Sequence, residues 1–103
     1  MFEISDLAAD QIKLSEQQLD DKDLRLRISA RKTEDHEISY KMGFDNFYDI
    51  DIKLDINGVK VVLDTDSENL IKGMLIDYQE LDGKEQIVFL NPNDPFSDKD
   101  TEK

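Results

Sequence analysis

The residues able to do chemistry in this 103-residue chain are few, and the first fact about them is that none is a cysteine. That excludes disulfides, thiolate metal sites, thiol catalysis and cysteine-ligated clusters. The single histidine, His36, lies in a polar loop between Asp35 and Glu37. Read plainly it is a solvated loop residue, and no second histidine exists to form a cluster with it. The serines lack any base partner other than His36, and nothing arranges a Ser–His–Asp set. No Walker loop, dinucleotide-binding glycine pattern, HExxH or EF-hand spacing is present. The chain is accordingly read as a non-enzyme.

Charge offers the remaining chemistry. Thirteen basic and 25 acidic residues give a net charge of −12. Such a surface stays soluble and repels phosphates, which argues against duplex nucleic acid and anionic membranes as partners. Arg25, Arg27 and Arg31, followed by Lys32, form the only basic concentration. Two readings apply to it: ion pairing with acidic side chains on neighbouring strands, or an anion-binding patch. Interleaved aromatics are lacking there, which weakens a nucleic-acid reading. Asp51 and Asp55 alternate with isoleucines and read as the wet face of a strand.

The elements that must position these groups follow from periodicity. Ser5 is an N-cap candidate for a helix running to about Leu19, with Leu7, Ala8, Ile12, Ser15 and Leu19 on one stripe. Leu24, Leu26, Ile28 and Ala30 alternate with Arg25, Arg27, Ser29 and Arg31, which predicts a strand with one buried face. Ile38, Tyr40, Met42 and Phe44 alternate again, and Gly43 is read as a bulge or close approach. From Ile50 to Leu63 two alternating runs flank Asn57-Gly58, the pair that takes the positive φ angles of a type I′ hairpin turn. Thr65 to Glu68 reads as a capping box opening a short helix that ends at Gly73. Strands are expected near Leu75–Leu81 and Gln86–Leu90, joined at Asp82-Gly83. The expectation is a mainly β domain: two sheets packed face to face, one N-terminal helix and one short helix. It is read as a single domain over 1–93, followed by an acidic, flexible tail over 94–103. The first residues show no basic and apolar leader pattern, and no run approaches the length of a membrane span, so the chain is expected in the cytoplasm.

Four stretches in order carry a family resemblance: Leu26-Arg27-Ile28-Ser29-Ala30-Arg31 with Tyr40 beyond the loop; Gly58-Val59-Lys60-Val61-Val62-Leu63-Asp64; Ser67, Leu70, Gly73, Ile76, Asp77 and Tyr78; and Asn91-Pro92-Asn93. Together they resemble the A-type iron–sulfur carriers, the HesB/IscA group, over residues 4 to 93. The resemblance implies the HesB-like β-sandwich, protein partners among assembly machinery or client proteins, and a homodimer. In the family, three cysteines hold iron or a cluster, one in the loop and two in a tail after NPN. Laid on this chain, those positions fall on Asp35, Asp98 and Asp100, with Lys99 between the tail pair. Glu34 and Glu37 stand where the family has loop glycines.

The expected function is therefore that of a HesB/IscA-like biogenesis protein that has lost its cysteine ligands and keeps a non-enzymatic binding, scaffold or accessory role. An iron–sulfur cofactor is not expected. Two alternatives stay open. Asp35, Asp98 and Asp100, with His36 as an additional ligand, hold a hard divalent cation through oxygen. Or the chain is an acidic protein-interaction module unrelated to iron.

Overall fold

The computed structural model describes residues 2–94, so all but the first residue of the expected acidic tail lies outside them. Helix α1 spans Asp6–Gln17 and opens as expected: the Ser5 side chain accepts from the Ala8 N–H at 3.1 Å. The same Ser5 hydroxyl donates to Asp77 at 2.6 Å, which ties the cap to a distant strand. The buried face of α1 is Ala8, Ala9 and Ile12, narrower than the expected stripe, and Leu7 stays 62% exposed.

Among the described residues seven strands form two sheets. One has the order β3-β2-β5-β4, built from β2 (Arg25–Lys32), β3 (Ile38–Asp45), β4 (Ile52–Ile56) and β5 (Val59–Leu63). The other has the order β1-β6-β7, built from β1 (Glu3–Ile4), β6 (Leu75–Leu81) and β7 (Lys84–Leu90). The hairpins β4–β5 and β6–β7 turn at Asn57-Gly58 and Asp82-Gly83, and all four turn residues have positive φ, as type I′ geometry requires. Two pairings are parallel, β1 with β6 and β2 with β5. Gly43 is no bulge: the β2–β3 register runs through it unbroken from Arg25↔Asp45 to Lys32↔Ile38.

Leu26, Ile28 and Ala30 of β2 and Val59, Val61 and Leu63 of β5 point into one core with Ile4, Ile76 and the buried face of α1. Helix α2 (Thr65–Leu70) packs on β2. Its N-cap is Asp64, one residue before the expected Thr65, and Asp64 accepts from the Ser67 N–H at 2.7 Å. Ser67 is fully buried and its hydroxyl accepts from the Ala30 N–H at 2.9 Å. Burial of that hydroxyl is tolerated because it is satisfied.

Candidate functional site

The loop that aligns with the family's first cysteine is a tight turn between β2 and β3. Thr33 and Glu37 close it, with the Thr33 N–H donating to the Glu37 carbonyl at 2.8 Å and the Glu37 N–H to the Thr33 hydroxyl at 3.2 Å. His36 takes a positive φ of 68°, and both Asp35 and His36 are exposed. Among the described residues no group of three His, Cys, Asp or Glu side chains is placed to hold a metal ion. Asp98 and Asp100 lie outside the described residues.

A built polar node stands two residues into β3. Tyr40 stacks on Phe89 of β7, with ring centroids 4.7 Å apart and planes 9° from parallel. Its hydroxyl accepts from the Asn91 side-chain amide at 3.0 Å and donates to Asp94 at 3.3 Å. Burial above all pushes the Tyr40 phenol up to about 12; the Asn91 hydrogen bond opposes it in part, and the nearby Asp94 charge adds a lesser push upward. Asn91 is 1% exposed and also donates to the Leu70 carbonyl at 2.8 Å. Asn93 donates to the Lys72 carbonyl at 2.6 Å. The Asn91-Pro92-Asn93 segment thus satisfies carbonyls at and just beyond the end of α2. Sequence reasoning marked these residues only as motif matches; here their amides act as structural ties.

The arginines of β2 share one face, as the alternation predicts, but they meet different fates. Arg27 donates to both oxygens of Asp51 at 3.1 and 2.7 Å, to Asp45 at 3.0 Å and to the Asn46 carbonyl at 2.9 Å. Asp51 also accepts from the Tyr48 N–H at 2.8 Å, and its side chain is only 6% exposed. These bonds, the Arg27 pair foremost, hold the Asp51 carboxyl below the usual carboxylate range. Asp51 is therefore no wet-face strand residue. It anchors a strap, residues 46–51, that joins the two edge strands of the sheet across its outer face. Arg31 pairs with Asp64 at 2.7 Å and donates to the Ser67 hydroxyl at 2.9 Å. That pairing, ahead of the cap hydrogen bonds, brings the Asp64 carboxyl down to about 2.

Arg25 is different. It stands opposite Asp45 in the register, yet that carboxylate turns to Arg27. Arg25 forms no ion pair among the described residues, its Nε is buried without a hydrogen-bond partner, and its guanidinium lies 4.8 Å from the centroid of the Phe47 ring. Pairing with an acidic side chain on a neighbouring strand therefore holds for Arg27 through Asp45 of β3, while Arg31 pairs with the N-cap of α2 and Arg25 with no carboxylate among the described residues.

No family model and no curated protein matches the chain. Solved structures do match. The Escherichia coli protein SufA, involved in the biosynthesis of iron–sulfur clusters, superposes with a TM-score of 0.73 at 17% identity over 92% of this chain and 83% of its own. IscA with its 2Fe–2S cluster superposes with a TM-score of 0.67 at 19% identity, covering 89% of this chain and 83% of that one. A protein from Aquifex aeolicus gives 0.64 at 29% identity, covering 88% and 91%. This chain therefore has the IscA/SufA fold, and the resemblance read from its sequence, including the missing cysteines, stands. The cluster that IscA holds does not fit the donor set here. Protein ligation of iron–sulfur clusters rests on thiolates, with imidazole pairs as the exception, and this chain has no cysteine and one histidine.

Proposed function

We propose that this protein is a cluster-free HesB/IscA-like protein of iron–sulfur cluster biogenesis, acting by binding a protein partner and not by carrying a cluster or catalysing a reaction. The observation that supports it most is the pairing of the IscA/SufA fold with a sequence devoid of thiolate ligands. Among the described residues Asp35 belongs to no group of three side chains able to hold a metal ion, while the scaffold residues of the motif set, Tyr40, Asn91 and Ser67, keep well-formed hydrogen bonds. A chain that retains the frame while changing the ligands suits a scaffold or accessory role. The domain running to residue 93, the acidic tail beyond it, a homodimeric state and a cytoplasmic location belong to the same proposal; no described helix is long and apolar enough to cross a membrane.

Pull-down from cell extract, compared with a chain restored to cysteine at positions 35, 98 and 100, tests the reading. A partner retained by both forms supports it; a partner captured only by the cysteine-restored chain overturns it. The alternative, a hard divalent ion held by Asp35, Asp98 and Asp100 with His36, keeps an oxygen donor at each equivalent position. It calls for a thermal shift with Mg²⁺, Mn²⁺, Ca²⁺ or Fe²⁺, and equal melting with and without each ion removes it.

A further inference from the structure

We infer that the outer face of the four-stranded sheet, where the 46–51 strap crosses it, is a docking surface for an acidic segment of a partner protein that also carries apolar side chains. The inference rests on the partner-binding part of the proposed function and names the surface and the chemistry of what it binds.

Three cations converge there in a chain whose net charge is −12. Arg25 of β2, Lys53 of β4 and Lys60 of β5 line one cleft of about 230 Å³; among the described residues its one acidic side chain is Asp55, the register partner of Lys60. Arg25 and Lys60 also line the adjoining cleft of about 420 Å³ together with Lys22 and the carboxylates Glu16 and Asp23. Arg25 and Lys60 form no ion pair among the described residues, and Lys53 bonds only to the backbone carbonyls of Tyr48 and Asp51. The Phe47 ring holds two of these charges in place, with Arg25 at 4.8 Å and Lys53 at 5.8 Å from its centroid. A cation stacked on a ring loses little further freedom when a carboxylate arrives, and its terminal N–H groups remain to donate.

Apolar surface adjoins the charge. Phe47, Tyr48 and Ile50 of the strap are 38, 60 and 91% exposed. Loop residues seldom expose an isoleucine so fully beside two aromatics, and Phe, Tyr and Arg are the side chains enriched at the cores of protein interfaces. The strap is not a loose loop. Arg27 and Asp51 fasten it to β2 through paired charge-assisted bonds, so the apolar group is presented on a fixed base. Cations without carboxylate partners select an acidic occupant, and the three strap side chains select one that is more than a small anion.

The test is a titration of the full ¹⁵N-labelled chain, followed by amide chemical shifts. The probe is a short acetylated peptide of glutamates around one leucine and one phenylalanine. The expected result is saturable shifts confined to Arg25, residues 46–51, Lys53 and Lys60. Lys60→Glu and Arg25→Glu each weaken binding at least tenfold, Ile50→Ser weakens it severalfold, and raising the salt weakens it progressively. Lys60 is exposed, so Lys60→Glu decides the matter even if Arg25→Glu disturbs the fold. Four results overturn the inference: shifts spread over the whole surface, affinity unchanged in Lys60→Glu, the same shifts from inorganic phosphate at equal concentration, or the same shifts from raising the protein concentration alone. The last two assign the face to a small anion or to a second copy. Any of the four leaves the cluster-free reading of the protein standing, because that reading is tested by the pull-down with the cysteine-bearing chain and by cluster content.

Discussion

Replacing Asp51 by alanine removes the anchor of the 46–51 strap. The wild-type carboxylate accepts two bonds from Arg27 and one from the Tyr48 N–H, and its side chain is 6% exposed. Hydrogen bonds to charged groups contribute about 1.5–3 kcal/mol. Arg27 is not stranded by the change, because its side chain is 20% exposed and it keeps Asp45 and the Asn46 carbonyl. The expected loss is therefore near the lower end, about 2 kcal/mol, and at roughly 4–8 °C per kcal/mol the melting temperature falls by roughly 8–16 °C. Asp45→Ala is the control: its side chain is 50% exposed, and such a pair contributes about 0.2–1 kcal/mol. Asp51→Asn keeps an oxygen for the Tyr48 N–H and should fall between the two. The assay is urea unfolding of the three variants beside the wild type. If Asp51→Ala and Asp45→Ala lose the same stability to within about 0.5 kcal/mol, the strap is not anchored as described, and the fixed presentation of Phe47, Tyr48 and Ile50 goes with it.

Three further outcomes are expected. Asn91→Ala strips the Leu70 carbonyl and the Tyr40 hydroxyl of a partner in a buried site and should cost about 2–3 kcal/mol in urea unfolding; separately, an ultraviolet titration should show one tyrosine ionising at about 12 that Tyr40→Phe abolishes. On acidification, Asp51, Asp64 and Asp77 all have folded-state pKa values below their unfolded value, so their stabilisation is complete above about pH 4 and drains away as the pH falls through the folded values, towards about 2 for Asp64; the urea midpoint should hold steady from neutral pH to about 4 and then drop, and Arg31→Gln should flatten that drop. Gly58→Ala combines a φ of +80° with a Cβ placed 2.8 Å from the Lys13 Nζ, so it should destabilise by about 1 kcal/mol or more, and adding Lys13→Ala should recover only the part due to contact.

The features legible in the sequence are those whose causes are local. Ser5 caps α1 because its own hydroxyl reaches the Ala8 N–H, and Asn57-Gly58 turns the β4–β5 hairpin because both residues tolerate positive φ. The two-sheet arrangement followed from one apolar face per strand. What escaped was settled through space. β1 is two residues long and exists only because Glu3 and Ile4 find Leu75 and Ile76 of β6. The cap of α2 fell on Asp64 and not Thr65 because a carboxylate there serves the Ser67 N–H and Arg31 at once. Asp51 looked like a strand's wet side chain because it alternates with isoleucines, yet Ile50 is 91% exposed and the strand begins at Ile52. No rule of spacing could assign Asp45 to Arg27 in place of Arg25, its partner in the register, since that choice depends on where the strap runs. For the site, the sequence placed Asp35 and His36 correctly in an exposed loop. It had no means of showing that, among the described residues, the β2 arginine left without a carboxylate would be Arg25, stacked on Phe47.

The central claim is that an IscA-like fold here works without a cluster. Anaerobic incubation of the purified chain with Fe²⁺ and sulfide, followed by gel filtration and a visible spectrum, tests it most directly. Protein fractions with no sulfide-to-iron charge-transfer absorbance and no iron co-eluting in proportion to the chain are expected. A coloured fraction in which iron and sulfide co-elute with the protein at a fixed ratio would contradict it.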